Sequence, residues 1–312
     1  MRALRVVTED GPGAVELLDV PEPDAPLVVA VRAAAVAFPD VLMTRGKYQI
    51  RQPLPFTLGW EAAGDVVRAP DDSPFAVGDR VMTLSFGAHA EQVAAVPEAT
   101  FALPEAMSYE EGAAFPLNYL TALAALERRG RLAAGERVLV HGAAGGVGTA
   151  TIQVGKALGA HVIASVSSDD KAAVAHAAGA DEVVVGDDFR SGLSGPVDLI
   201  IDSVGGTERF KESLRSLRPE GRLVVVGFAG GEIPEIRVNR LLIGNTDVIG
   251  CSFNILATEP TGIADAMARL TGLVATGALR PVIGASYPLA DGATALREID
   301  ERRATGKVIL TV

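Results

Sequence analysis

The rhythm of apolar and polar positions changes twice along this chain. Up to about residue 118 the apolar runs are short, and Pro21, Pro23, Pro26, Pro53, Pro55, Pro70 and Pro74 punctuate the intervals. Proline removes an amide donor and fixes its own φ, so these intervals read as turns and the runs between them as strands. Strands are expected at Leu27–Ala34, Ala63–Arg68, Arg80–Leu84 and Gln92–Pro97. The opening residues alternate in the same way until Glu9 and Asp10 interrupt them. This part is expected to be mostly β.

From Asn118 strand-like and helix-like segments alternate. Strands are expected near 137–141, 162–166, 183–185, 197–202, 222–227 and 247–251, and helices near 119–130, 146–158, 170–178 and 207–217. Short apolar strands with helices between them imply an α/β fold with a doubly wound parallel sheet. The tail has a third texture: a helical stretch near 260–276, a turn at Gly277 and a last strand over Lys307–Val312. The expected division is residues 1–118 with 256–312 in one domain and 119–255 in the other, with a ligand cleft between them.

The most informative segment is Arg137-Val-Leu-Val-His-Gly-Ala-Ala-Gly-Gly-Val-Gly148. A β-branched run ends in a glycine turn, and the helical pattern Thr149–Leu158 follows at once. That order places backbone N–H groups and a helix N-terminus where a pyrophosphate can bind, as in a Rossmann unit. Ala143 takes the first glycine position of the usual G-x-G-x-x-G, Gly145 allows close approach of the phosphates, and Gly148 allows the helix to pack on the strand. Ala144, Gly145, Gly146, Val147 and Gly148 are therefore cofactor candidates.

An NAD site usually has a carboxylate about 20 residues past these glycines, to accept from the ribose 2′-OH. Here the second strand ends at Val166 and continues Ser167-Ser-Asp-Asp-Lys171. Two hydroxyls and a cation suit a 2′-phosphate, so Ser167, Ser168 and Lys171 favour NADPH. The same residues also suit helix capping by Ser168 or Asp169 with Lys171 solvated. Two later strand ends, Asp202-Ser-Val-Gly-Gly206 and Val225-Val-Gly-Phe-Ala-Gly230, offer Val204, Gly227, Phe228 and Ala229 to the nucleoside and nicotinamide, or serve turn chemistry alone.

Bulk properties narrow the classes. The 312 residues carry 28 Lys and Arg against 39 Asp and Glu, a net charge of −11, which argues against nucleic acid or anionic membranes as partners. The one cysteine, Cys251, excludes an internal disulfide and a multi-cysteine zinc site. His89, His141, His161 and His176 show no ligand spacing and suit packing or surface roles. No apolar run reaches the roughly 18 residues needed to span a bilayer, and the opening residues resemble neither a signal nor a transit peptide. A cytoplasmic protein is expected.

The chain resembles the medium-chain dehydrogenases/reductases, specifically their zinc-independent quinone oxidoreductase (ζ-crystallin-like) branch. The resemblance rests on Ala37-Phe-Pro-Asp-Val-Leu-Met-Thr-Arg-Gly-Lys-Tyr48, Leu58-Gly-Trp-Glu-Ala-Ala-Gly64, Gly78-Asp-Arg-Val81, Ala113-Ala-Phe-Pro-Leu-Asn-Tyr-Leu-Thr-Ala122, the glycine segment, Asn239-Arg-Leu-Leu242 and Gly306-Lys-Val308. It implies a GroES-like catalytic domain beside the Rossmann domain. The positions that hold catalytic zinc in metal-dependent relatives correspond to Ala37, Trp60 and Leu117, none able to bind it, so the metal expectation is none.

Without a Lewis acid, the resemblance implies hydride transfer from NADPH to a small-molecule quinone or enone that delocalises the incoming charge. Alternatives are an enoyl reductase and a non-catalytic NADPH-binding protein. It further implies Asp40, Tyr48 and Thr121 as catalytic candidates, Tyr48 as a proton donor or merely a packed loop residue. Phe38, Pro39, Thr121, Cys251, Phe253 and Lys307 join the cofactor contacts. Asn239 and Arg240 are expected to lay down the loop before an edge strand, Asp247–Cys251, that pairs with its twofold mate in a homodimer. Two departures stand out: Ala37 replaces an Asn common in relatives, and no Tyr lies near Gly186.

Overall fold

The computed structural model describes residues 1–258 and 262–312. Chain contacts separate two units: Met1–Leu117 with Pro281–Val312, and Asn118–Arg280. The first boundary lies at 117/118. The second lies at 280/281, so residues 256–280 belong with the nucleotide half and not, as expected, with the amino-terminal one. The reason is packing. Helix Gly262–Ala275 buries Ala266, Met267, Leu270 and Val274 at helical spacing and rests on the 3₁₀ turn Phe253–Thr258, which touches the π-helical turn Ala124–Arg129. The expected start of this helix near 260 lies outside the described residues.

In the first unit one sheet has the order Ile283–Pro288, Lys307–Thr311, Val28–Val36, Glu61–Arg68, Arg80–Leu84 and Thr100–Ala102, with Gln92–Ala94 also on Val28–Val36. The carboxyl-terminal strand runs antiparallel to Val28–Val36, Val308 opposite Val36 and Leu310 opposite Ala34. The tail thus completes the amino-terminal sheet, as its final strand predicts. A smaller sheet joins Val15–Asp19, Arg2–Val6 and Phe56–Thr57. Its core packs Leu4, Val6, Val41, Leu58, Leu296 and Leu310 together. Strand Ile283–Pro288 and helix Gly292–Asp300 escape the sequence pattern, since the strand is half-exposed throughout and the helix buries only Gly292, Ala295 and Leu296.

The second unit is one parallel sheet ordered Glu182–Val185, His161–Val166, Arg137–His141, Val197–Asp202, Leu217–Val225, Asp247–Gly250. In chain order this is 3-2-1-4-5-6, the dinucleotide-binding arrangement. Helices cover both faces, so central strands are apolar throughout: Val138 to Val140 and Leu199 to Ile201 are buried. Helices Gly146–Ala157, Asp169–Ala177 and Thr207–Ser216 fall within a residue of expectation. The helix expected over 119–130 is α-helical only at Pro116–Leu123 and continues as a π-helical turn. The loop expected around Asn239 is a short helix, Asn239–Gly244, held by Leu241 against the sheet core while Leu242 and Ile243 remain exposed. No helix among the described residues is long and apolar enough to cross a membrane.

Candidate functional site

Parallel pairing sets Ser165 beside His141, Asp202 beside Val225 and Val225 beside Gly250, so the strands end together. Around that edge lie the glycine turn, Ser167 to Lys171, Val204, Gly227 to Ala229 and Cys251. The left-handed residue of the turn is Gly142 (φ +64°), one position before Ala143, where the motif places its first glycine. Gly145 N–H closes the turn on Gly142 O at 3.0 Å. A Cβ on Gly148 would lie 2.2 Å from Gly142 O and 2.6 Å from Ala143 Cα, so only glycine permits this helix–strand approach. No side chain caps helix Gly146–Ala157, whose N-cap is Gly145. A Cβ on Gly145 would meet only Gly142 O, at 3.5 Å, and the turn stays open. Uncapped amides at a positive helix end, beside an open glycine, fit a dinucleotide diphosphate.

The flanking groups are fixed by the same edge. Lys171 Nζ lies 3.3 Å from Ser167 Oγ. Ser168 occupies the N-cap of Asp169–Ala177 without a side-chain cap bond, so its hydroxyl is not spent on capping, while Asp169 and Asp170 sit in the helix's first turn. The two later turns are laced together: Val226 N–H donates to Asp202 O (2.8 Å), Ala229 N–H to Ser203 O (3.0 Å) and Gly230 N–H to Val204 O (2.7 Å). Asp202 Oδ1 accepts from Val204 and Gly205, and burial pushes its carboxyl above the usual range. Val204 and Gly227 to Ala229 therefore form one half-buried platform.

Under the turn, His141 is buried, its Nε2 2.8 Å from Ser213 Oγ and its ring edge-on to Phe189. Burial, reinforced by the Arg209 charge, depresses it to about 3, so this histidine is neutral. Cys251 anchors its N–H on Val225 O (2.9 Å), and burial raises its thiol to about 11. Phe253 opens the next 3₁₀ turn. Thr121 lies buried on helix Pro116–Leu123.

The first unit holds Phe38, Pro39, Asp40, Tyr48 and Lys307. Asp40 is wholly buried: Oδ2 accepts from Ala37 N–H at 2.8 Å and Oδ1 from Gly59 N–H at 3.1 Å. Burial raises its carboxyl above the usual range, opposed by His89, the two amides and Lys307. Asp40 exposes no atom, and its carboxyl is taken up by these two backbone amides. Lys307, expected among the cofactor contacts, is 5% exposed with Nζ 2.7 Å from Glu61 Oε1. It is the first residue of the buried strand Lys307–Thr311, where an ammonium needs a carboxylate partner. Glu61 has no exposure and accepts Leu117 N–H through Oε2 at 2.8 Å; burial raises it, against the pull of Lys307.

Phe38 and Pro39 stay partly exposed at the start of helix Phe38–Met43. Tyr48 packs edge-on to Trp60, centroids 5.7 Å apart. Burial and the nearby Asp40 raise its phenol, so it keeps its proton. Glu61 was not anticipated; its signal was an acid inside the apolar run Leu58–Ala63. Gly142 was in plain view, one residue from the position considered. Among the described residues no three His, Cys, Asp or Glu are placed to hold a metal ion, and Ala37, Trp60 and Leu117 carry no metal-binding atom.

Comparison with known proteins agrees with this layout. Residues 23–112 match the family model described as alcohol dehydrogenase GroES-like domain and residues 146–271 that described as zinc-binding dehydrogenase. Quinone oxidoreductase-like protein 2 of Mus musculus is 37% identical over 298 residues, covering 91% of this chain and 84% of its own length. A mycobacterial protein solved with NADPH superposes with TM-score 0.93 at 31% identity over all of both chains. Escherichia coli quinone oxidoreductase complexed with NADPH does so with TM-score 0.91 at 28% identity, again over both whole chains. A GroES-like first unit, a 3-2-1-4-5-6 nucleotide sheet and side chains unfit for catalytic zinc coincide with these likenesses: the chain belongs to the zinc-independent quinone oxidoreductase family of the medium-chain dehydrogenases/reductases.

Proposed function

We propose that the chain is an NADPH-dependent reductase of quinones and similar conjugated carbonyls. The observation that carries this is the open glycine turn, with Gly148 against Gly142 and an uncapped helix end, at the strand edge that also presents Ser167, Ser168 and Lys171. The relatives solved with NADPH support it. Ala144 to Gly148 hold the diphosphate, and Ser167, Ser168 and Lys171 the 2′-phosphate. The platform of Val204 and Gly227 to Ala229 takes the nucleoside and nicotinamide, with Phe38, Pro39, Thr121, Cys251 and Phe253 as further contacts.

Bound NADPH supplies a hydride from nicotinamide C4. The acceptor takes that hydride and one proton, a quinone becoming a hydroquinone as NADPH becomes NADP⁺. Protein groups position, exclude water and donate. The Ala37 and Gly59 amides are fixed by Asp40, the Leu117 amide by Glu61, and the protonated Tyr48 serves as the proton donor. The test is oxidation of NADPH, with NADH in parallel, across quinones and enones. Tight NADPH binding with every acceptor inert, or a preference for NADH, overturns the reading.

A homodimer through the edge strand Asp247–Gly250 belongs to the same proposal. Val238, Leu242 and Ile243, a few residues before it in the chain, are 75%, 78% and 76% exposed. Light scattering should give twice the chain mass, and Leu242→Asp with Ile243→Asp should halve it. The cytoplasm suits the single, half-buried thiol; fractionation of the source cells checks this.

A further inference from the structure

Trp60 is the chain's only tryptophan, and the structure treats it unusually. Its neighbours on both sides are tied to buried charges: Gly59 N–H donates to Asp40, and Glu61 is locked between Lys307 Nζ and Leu117 N–H. Trp60 O accepts from Ser85 N–H at 2.9 Å. Burying carboxylates is costly unless they are paired and hydrogen-bonded, and two of them bracket this one residue.

What is held so firmly is a half-buried aromatic wall. The Trp60 ring meets Tyr48 edge-on at 5.7 Å and Phe86 at 5.1 Å, and Phe86 meets Phe56 at 6.3 Å. Tyr48, Trp60 and Phe86 come from separate segments, pack on one apolar core and keep part of their surface in solvent. The indole N–H has no hydrogen-bond acceptor among the described residues. The wall is therefore fixed by packing and backbone clamps, and what it offers a ligand is π-surface more than hydrogen bonds.

We infer that Trp60, with Tyr48 and Phe86, is a specificity determinant that takes the flat face of the acceptor and selects planar ring quinones over slender acyclic enones. This rests on the reductase reading above. A fused-ring quinone covers the wall and gains offset or edge-on contacts, whereas a linear enal covers a fraction of it.

The experiment pairs two readouts. Fluorescence of the sole tryptophan is titrated with 9,10-phenanthrenequinone and with trans-2-hexenal. The ratio of their kcat/KM values with NADPH is measured in wild type, Trp60→Phe and Trp60→Leu. Saturable quenching by the quinone alone is expected. The ratio should fall roughly tenfold in Trp60→Leu, as loss of an aromatic contact predicts, and stay within about threefold in Trp60→Phe. A ratio unmoved in Trp60→Leu with NADPH affinity intact, an equal loss for both acceptors, or quenching that never saturates overturns the inference. If neither acceptor is reduced the reductase reading falls, and saturable quenching still decides whether the wall binds rings.

Discussion

The two units solve the problem of a ligand site by opposite means. In Asn118–Arg280 the site is backbone: an absent Cβ at Gly148, a left-handed Gly142 and helix amides that no side chain caps. In Met1–Leu117 with Pro281–Val312 it is built by side chains, two buried carboxylates holding backbone amides and a lysine holding one carboxylate. A backbone site suits a ligand part shared by many proteins, since a diphosphate needs only N–H groups and a dipole. A side-chain framework suits what varies, because the residues it holds can be exchanged while the clamp stays. On the proposed function, the contrast puts recognition of the cofactor's phosphates in the second unit and acceptor discrimination in the first.

The largest effect that would sharpen this contrast concerns Glu61 and Lys307. Lys307→Met leaves a buried, unpaired carboxylate and should destabilise the first unit by about 3–5 kcal/mol, read from Trp60 fluorescence during unfolding. Glu61→Leu combined with Lys307→Met should recover much of that; equal loss in the double variant would mean the pair is not the clamp. Next, Gly148→Val drives a side chain into Gly142 O and Ala143. It should cost about 3 kcal/mol by overpacking and abolish NADPH binding in a fluorescence titration.

pH should pull the two units apart. His141 is depressed from 6.5 to about 3, so the folded state resists a proton that the unfolded state accepts. Its stabilisation is present above pH 6.5 and is lost as pH falls from there towards 3, at up to about 1.4 kcal/mol per pH unit. Asp40 and Glu61 are raised, so the folded state holds their protons more tightly than the unfolded one. Their contribution is present below the ordinary carboxyl range of about 4 and is lost as pH rises through their raised values. Protection of strand Arg137–His141 against hydrogen exchange, taken relative to the unfolded chain at each pH, should weaken with acid, and less so in His141→Gln. Trp60-detected stability should weaken with base, and less so in Asp40→Asn. The same sign in both units would break the comparison.

Smaller effects follow. Lys171→Ala should raise the KM for NADPH about tenfold while leaving NADH nearly unchanged, the size expected for one charge-assisted hydrogen bond. Equal changes for both coenzymes would return Lys171 to a solvated helix residue. Smallest is Tyr48→Phe, expected to lower kcat a few-fold with NADPH affinity unchanged, since solvent can replace one general acid in part. Unaltered turnover would leave Tyr48 to the aromatic wall alone.

Locally encoded features were legible and long-range ones were not. The strand–glycine–helix order predicts the nucleotide site because its parts are contiguous from Arg137 to Leu158. What the motif does not give is the left-handed residue, Gly142, one position before the motif's first glycine position. Helix Asn239–Gly244 read as a loop because its apolar residues, Leu242 and Ile243, stay in solvent and mark no buried face. The pairing of Lys307 with Glu61 was not legible, because nothing near either residue in sequence reveals the other.

Sequence alone determined the alternation that winds the second unit, the glycines without which its helix cannot approach its strand, and the lack of metal-binding side chains at Ala37, Trp60 and Leu117. These are matters of short-range sterics and side-chain chemistry, fixed before the chain folds. Only the tertiary structure decided that Asp40 is a clamp, that Lys307 serves Glu61, that the second unit reaches Arg280, and that Tyr48, Trp60 and Phe86 form one wall. Each depends on which distant segments share a core, and burial turns an ordinary acid, lysine or aromatic ring into a group with one fixed partner.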